Sequence, residues 1–431
     1  MKRMTARSGA LLFVALVGLC PARVRAESAP PISADLADEE SLVRYALSHN
    51  LDLRALRWEQ DVASAGVTTA SALSNPRARA EWLHVQSGAD YGWGVGLDWA
   101  PPQPGVYGNT QAVARAQVRA VRADFSERAA ELEAAVRRGY AQIGALAEEI
   151  ALAEKSIETR RAVQQAVQNR VAHGAASRID LSLTTVALAR GEQERDLLVL
   201  NRERAVTQLE ALLGLPADRS LDLKPRSKGS DAQPQRASQH DGTDTARAAL
   251  EQRPQLRADA ARADAADLAL SAEKAKRWPW LSLQARYRRH EQATYENDVT
   301  LGVELTLPIF NQNPGPIAAA EASRHELRDV AAAHRQGIER EVRVLRAESA
   351  RRRELAEHYA QAIAPVLDEH AALVKQALAG MELDLTALLA AEDLVTRGGI
   401  EYLEARLSQR QAEIALARSL GEYGHGSAGA K

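Results

Sequence analysis

Histidine, cysteine, serine and the acidic residues are the side chains here that could bind a metal or catalyse a reaction. The ten histidines are scattered, without a His-Glu-x-x-His helix or a close pair on one helical face, so no zinc site is predicted. Gly92, Gly94 and Gly96 superficially resemble a phosphate-binding loop, but they lie inside an alternating strand pattern and no helical pattern follows them. A Gly-x-Ser-x-Gly pattern is also missing. We therefore predict neither an enzyme nor a cofactor.

Acidic residues follow two glycines that interrupt long helical patterns. Asp180 lies six residues after Gly174, and Glu382 and Asp384 lie two and four residues after Gly380. Carboxylates in the first turn of a helix are stabilising by about 0.3–1 kcal/mol. Residue types alone therefore predict a helix N-terminus after each glycine, with capping as the simplest role for the acids.

The helices on either side of Gly174 are predicted to be very long. Residues 106–215 contain no proline, which costs about 3 kcal/mol inside a helix. Gly174 is the natural break, and Ser177 is the candidate N-cap of the returning helix. The pattern predicts helices of roughly 60 and 35 residues, about 90 and 50 Å long.

A second pair of helices is predicted at residues 317–379 and 384–420, with a turn at Gly380 and a kink at Pro365. Alanine-rich seams in both pairs predict antiparallel coiled-coil packing. The charged residues expected to flank these seams are Glu131, Glu133, Arg137 and Arg138 in the first pair and Glu339, Arg340, Glu341 and Arg343 in the second.

A β-hairpin is predicted before each helical pair. Apolar and polar residues alternate over residues 91–99 and 299–307, and partner strands precede them at 77–86 and 281–288. Ten residues is the length of a tilted strand that crosses a membrane. Two soluble hairpins on a helical body are the alternative. The aromatic residues predicted to lie at the membrane interfaces are Trp82, Tyr91, Trp93, Trp99, Trp278, Trp280 and Tyr287.

This order of parts occurs twice, with an offset of 203 to 207 residues, which indicates a duplicated unit of about 200 residues. The first repeat is predicted at residues 27–213, with its hairpin at about 77–100 and its helical tip at 173–177. The second is predicted at 246–421, with its hairpin at about 280–307 and its tip at 379–383. Residues 214–245 form a linker rich in Pro, Ser, Asp and Gly, and 422–431 a flexible tail.

Four strands cannot close a barrel, because about eight are needed. An open strand edge in lipid would leave backbone groups unsatisfied at several kcal/mol each. If the strands face lipid, the protein is an obligate homo-oligomer, and the strand count allows a dimer, a trimer or more.

The first 26 residues predict a signal peptide, with basic residues before an apolar run at 10–19 and a small-residue cleavage site at Ala26. A retained anchor helix and a lipoprotein cut before Cys20 are the alternatives. Removing residues 1–26 takes away five basic residues and no acid, which changes the formal charge from −2 to −7. Without a basic patch, nucleic acid is not a predicted partner.

In this order, the motifs resemble the TolC family of outer-membrane efflux channels over essentially the whole mature chain. The resemblance rests on Asn75-Pro76, on residues 302–311 leading into 317–320, on Gly174 followed by 179–181, and on Gly380 followed by 383–385. The Leu-Pro-Ile-Phe-Asn run, Pro365 and the short tail are most similar to the heavy-metal branch for cobalt, zinc and cadmium.

The resemblance implies a mostly α fold with a small β part, in which a homotrimer forms a 12-stranded barrel in outer-membrane lipid and a helical tunnel in the periplasm of a Gram-negative bacterium. It implies passive conduction of heavy-metal cations that a proton-driven inner-membrane pump hands over through a periplasmic adaptor. A multidrug or type I secretion duct of the same family, and a periplasmic coiled-coil adaptor, are the alternatives.

The resemblance also implies a gate at the helical tips, where Gly174, Asp180, Gly380, Glu382 and Asp384 are the candidate residues. Asp180 matches a family position that helps to hold the gate shut. Other positions depart from the pattern that the resemblance implies. Thr386 and Leu389 stand where two acids of the constriction are expected, and Glu382 stands where a basic partner is expected. The aromatic residue expected three residues before each glycine is replaced by Val171 and Ala377.

Overall fold

The structure is a computed structural model that describes residues 38–85, 90–216, 221, 250–290, 297–380 and 385–424. In chain order its elements are α1 (Glu39–His49), α2 (Leu51–Ser71), β1 (Arg77–Val85), β2 (Asp90–Trp99), α3 (Pro104–Ala172), α4 (Arg178–Leu213), α5 (Pro254–Ala275), β3 (Trp280–His290), β4 (Asp298–Thr306), α6 (Pro314–His358), a π-helical turn (Tyr359–Ile363), α7 (Ala364–Gly380) and α8 (Leu385–Ser419).

These elements confirm the predicted class, mostly α with a small β part. The helix α3 has 69 residues and α4 has 36, close to the predicted lengths. At 1.5 Å per residue α3 is about 104 Å long. Pro104 stands in its first turn, where a missing N–H costs nothing.

The helix α3 is the common packing partner of both predicted repeats. It contacts α2 and α4 of its own repeat and α5 and α8 of the second. Alanine at contact positions such as Ala116, Ala129 and Ala134, each at most 1% exposed, lets the neighbouring helices approach closely. The largest apolar cluster joins α1 and α2 to α3 and α4, with Leu42, Leu209 and Leu213 fully buried.

The second long helix is interrupted before its proline. The π-helical turn Tyr359–Ile363 separates α6 from α7, directly ahead of Pro365. A proline cannot donate a backbone hydrogen bond, and a local π turn accommodates that loss. The helix α7 then extends through Gly380, one residue beyond the predicted end at Ala379, so Gly380 itself is helical and the turn lies outside the described residues.

Two residues of the predicted charged flank in the first helical pair, Glu133 and Arg137, are largely buried rather than exposed. Glu133 is 9% exposed, and Arg137 forms ion pairs of 2.9–3.0 Å with Glu133, Glu39 and Glu40. Burial lowers the pKa of Arg137, but the hydrogen bonds and charges of Glu133 and Glu39 outweigh it and the pKa is raised. The prediction missed this because α1, which supplies two of the carboxylates, lies about 100 residues away in the chain.

The predicted flexible tail also needs correction at its start. Tyr423 lies under Arg137, with the guanidinium carbon 5.2 Å from the ring centroid, and the backbone N–H of Gly424 donates to Glu133 at 3.1 Å. Burial raises the pKa of Tyr423 to about 12. Tyr423 and Gly424 thus pack on α3, and 425–431 lie outside the described residues.

The two hairpins form one antiparallel sheet in the order β1-β2-β3-β4. β2 pairs with β3 over Gly92 to Trp99, which joins the first repeat to the second. β1 and β4 are the outer strands. The sequence predicted both hairpins but not the pairing between them.

Candidate channel wall and helical tips

One face of the sheet is apolar and exposed. Val299, Leu301 and Val303 on β4 are 71%, 80% and 69% exposed, and they pair with Tyr287, Ala285 and Leu283 of β3. Val95 and Leu97 continue the face across β2. A contiguous exposed apolar surface of this kind marks a contact with lipid or with protein.

The opposite face is polar and charged. Residues paired across the four strands form rows, and one row consists of Glu81, Gly94, Arg288 and Asp298. The side chains of Glu81 and Arg288 lie over Gly94: a Cβ there would be 3.0 Å from Glu81 and 3.1 Å from Arg288. The two faces therefore match a strand with lipid on one side and water on the other.

Three predicted interface aromatics lie at the helical end of the sheet. The indole N–H of Trp99 donates to the carbonyl of Ser74 at 2.9 Å, and that of Trp280 to the carbonyl of Pro101 at 2.6 Å. Trp278 is 73% exposed just before β3. Satisfied indole N–H groups on an otherwise apolar ring are typical of a membrane interface.

The remaining predicted interface aromatics lie on the part of the sheet farther from the helices. Trp82 pairs with Trp93, and the rings of Trp93 and Tyr287 meet edge to face at 5.8 Å. The backbone of Tyr91 pairs with His84, and its side chain lies outside the described part of the structure. Trp93 and Trp99 are six residues apart, or about 20 Å along a strand, which compares with an apolar band of about 25 Å.

The first helical tip has the predicted construction. Gly174 is left-handed, with φ +71°, and the N–H of Ala175 donates to the carbonyl of Arg170 at 2.8 Å. Ser177 and Asp180 form a reciprocal capping box, with distances of 2.9 and 3.1 Å. The backbone and hydroxyl hydrogen bonds of Ser177 hold the pKa of the exposed Asp180 carboxyl below its usual value. Capping is the role that the geometry gives Asp180 within one protomer.

The second tip is described only in part. Gly380 ends α7, while Glu382 and Asp384 lie outside the described residues. On the returning helix, Leu388 and Leu389 belong to an apolar cluster with Val163 and Val167 of α3. Leu389, where the resemblance implies an acid, thus packs between the two helical hairpins of one protomer.

Above the tips lies a buried ionic network that sequence reasoning missed. Arg160 on α3 donates to Glu392 on α8 at 2.7 Å and to the carbonyl of Ala187 on α4 at 2.9 Å. Ser156 and Thr396 donate to the same carboxylate. The Arg160 and Glu392 side chains are only 6% and 8% exposed. The network therefore joins three helices from both repeats.

A sequence signal for this network existed. From Ile143 to Val167 the buried stripe of α3 follows heptad spacing, and it includes three polar positions, Glu149, Ser156 and Arg160, among apolar ones. A charged residue on such a stripe must find a partner, since an unpaired buried charge is costly. The partner could not be named, because Glu392 is 232 residues away in the chain.

Glu149 lies on the same stripe and is 5% exposed. Burial, and to a smaller extent the charge of Glu404, raises the pKa of its carboxyl to about 7. The native state therefore binds this proton more tightly than the unfolded chain does, and stability falls as the pH rises from about 4.5 to about 7.

We expect Glu149→Gln to remove this pH dependence and to stabilise the protein by about 1–2 kcal/mol at pH 8. Denaturant midpoints at pH 5 and pH 8 measure the effect. Glu148→Gln is the matched control, because its carboxylate is 50% exposed and pairs with Arg406 at 3.3 Å. Equal pH dependence in Glu149→Gln and the unmodified protein would contradict the prediction.

The described residues contain neither a membrane-spanning helix nor a metal-binding cluster. No helix in these ranges has the combined length and apolar character that a bilayer crossing needs. Within the same ranges, no group of three His, Cys, Asp or Glu side chains is placed to hold a metal ion.

Comparison with known proteins identifies the architecture. The family model described as outer membrane efflux protein matches residues 42–215 and 245–422, one segment for each repeat. The chain belongs to the outer membrane efflux protein family. The resemblance to TolC-type channels is thereby confirmed, and the protein is an outer-membrane efflux channel component rather than an enzyme.

Among characterised relatives, the cobalt-zinc-cadmium resistance protein CzcC of Cupriavidus metallidurans is 23% identical over 312 residues, which is 72% of this chain and 71% of CzcC. Among solved structures, a membrane protein from Pseudomonas aeruginosa superimposes with a TM-score of 0.75 at 21% identity, covering 89% of this chain and 94% of the other. The outer membrane protein VceC from Vibrio cholerae gives 0.73 at 16%, covering 89% and 96%. These structures support the fold.

Proposed function

We propose that three copies of this efflux channel assemble around one pore. Each protomer contributes four strands to a 12-stranded barrel, and the long helices continue it as a tunnel in the periplasm. The exposed apolar sheet face, bounded by the outer strands β1 and β4, carries this proposal. Closing the barrel between protomers pairs the backbone groups of both outer strands, which lipid cannot do.

The two repeats at residues 27–213 and 246–421, with 214–245 between them, are part of the same proposal. Each would supply one hairpin to the barrel and one helical pair to the tunnel. The repeat organisation is supported by the two equivalent hairpins and by the two segments that match the family model. Heat-sensitive migration of the outer-membrane protein on gels tests the oligomer, and a monomer that is soluble without detergent would contradict it.

We infer that the cargo consists of heavy-metal cations handed over by an inner-membrane pump, proton-driven, through a periplasmic adaptor. The name of the relative CzcC and the Leu-Pro-Ile-Phe-Asn run at residues 307–311 support this cargo. The ions would pass through a water-filled lumen as substrate, without a dedicated binding site.

Deletion of the gene is expected to lower the concentration of cobalt, zinc or cadmium that the cells tolerate, with restoration by the intact gene. Growth in graded metal concentrations and metal retained per cell are the measurements. Unchanged metal tolerance together with new sensitivity to drugs would contradict the metal cargo while leaving the channel itself in place.

We also propose that Asp180 and Asp384 help to hold the tips closed in the trimer. Asp180→Ala and Asp384→Ala are then expected to raise single-channel conductance in planar bilayers. Ser177→Ala is the control for Asp180, because it breaks the same capping box at a cost of about 0.5–2 kcal/mol but keeps the acid. Equal conductance changes in Ser177→Ala and Asp180→Ala would assign Asp180 to capping alone.

A further inference from the structure

One row on the polar face of the sheet carries two arginines and no acid. Arg79, Gly96, Arg286 and Thr300 are paired across the four strands. We call these four residues the arginine row. The row below it pairs Asp98 with Arg77, and the row above it contains Glu81 and Asp298 with Arg288, so the net positive charge of these rows is concentrated at this level.

Gly96 allows the two arginine stems to lie close together. A Cβ at Gly96 would be 3.3 Å from Cγ of Arg286 and 3.9 Å from Cβ of Arg79. The stems therefore flank the same stretch of β2 from both sides. A larger residue here would push them apart.

The polar contacts of Arg79 and Arg286 neutralise their positive charge only in part. Arg79 is 3.7 Å from Asp98, but its side chain remains 58% exposed. Arg286 donates to the neutral amide oxygen of Gln284 at 3.3 Å. Because each guanidinium carries a positive charge, the row keeps a surplus of positive charge on the polar face.

We propose that the arginine row attracts small anions and makes the sheet section of the pore favour anions over cations. The inference rests on the proposed trimer, in which each protomer turns its polar face to the lumen and adds two arginines at one level. Rings of arginine select anions in other pores, and a low-dielectric wall focuses their field. Cationic cargo then crosses this level accompanied by anions that screen the arginines.

The ionic strength is expected to control how strongly the pore favours anions. The Debye length is about 30 Å at 0.01 M and about 3 Å at 1 M, so the row reaches across a pore only in dilute salt. Preference for chloride over potassium is therefore expected to be strongest at low ionic strength.

The test uses the full-length protein in planar bilayers under a gradient of dilute KCl. The double variant Arg79→Gln/Arg286→Gln is expected to reduce the chloride-to-potassium permeability ratio, read from the zero-current potential, by about threefold or more. The matched control is Arg289→Gln, since Arg289 lies on the same strand but pairs with Trp93 on the opposite face. It is expected to leave the ratio unchanged.

A second measurement avoids the helical tips, whose own charges also affect the zero-current potential. Pyrophosphate added on the sheet side reaches the arginine row before any tip. Its half-blocking concentration is expected to rise about tenfold in the double variant and to stay the same in Arg289→Gln. Conducting channels with unaltered ratio and unaltered block in the double variant would overturn this inference alone. Failure of the unmodified protein to conduct at all would overturn the proposed channel with it.

Discussion

Glu392→Ala is expected to lower the free energy of unfolding by about 3–5 kcal/mol, since it leaves the buried guanidinium of Arg160 without its main partner. Arg160 and Glu392 are both under 10% exposed, and the carboxylate also accepts from Ser156 and Thr396. Asp393 lies 3.5 Å from Arg160 and compensates in part, which favours the lower end of this range. Urea unfolding in detergent at a fixed protein concentration is the measurement.

Two further variants separate burial from charge. Arg335→Ala breaks an ion pair in which both side chains are more than 40% exposed, and a loss below about 1 kcal/mol is expected. The apolar pair Arg160→Met/Glu392→Leu is expected to recover most of the stability, because well-packed apolar residues often replace a buried ion pair without loss. If Glu392→Ala costs no more than Arg335→Ala, the network does not join the repeats as described.

Leu301→Arg is expected to prevent assembly in the outer membrane. Leu301 is 80% exposed in the middle of the apolar face, and an arginine facing lipid near the bilayer midplane costs about 2–4 kcal/mol in each protomer. A trimer bears this cost three times. Loss of the heat-sensitive oligomer from the membrane fraction is the readout.

The matched control places the same residue on the other face. Gln284 is adjacent in the ladder to Ala285, the partner of Leu301, but it lies on the polar face and donates to Glu304 at 2.6 Å. Gln284→Arg can pair with that carboxylate and is expected to assemble normally. Equal assembly of both variants would show that the apolar face does not contact lipid.

The periodicities of the sequence are local, and they predicted the local structure well. Alternation over ten residues predicted four strands, and a proline-free span with Gly174 and Ser177 predicted α3, the tip and α4. These predictions needed only the preferences of neighbouring residues. The duplicated order of parts then led to the channel family that the comparison confirms.

The exposed tip residues and the aromatics could be located from the sequence, but not their contacts. Trp99 and Trp280 were predicted as interface residues, whereas their hydrogen bonds to Ser74 and Pro101 depend on how the strands meet the helices. Asp180 was placed at a helix start, and its reciprocal bonds with Ser177 emerge only from the folded turn.

The sequence by itself determined the length, order and two-sided character of the elements, because these depend on residues that are close together in the chain. Only the tertiary structure decided that β2 pairs with β3 and that Arg160 meets Glu392. Both contacts join the two predicted repeats. Their partners are about 190 to 230 residues apart, and no local pattern encodes which distant surface a strand edge or a buried charge will meet.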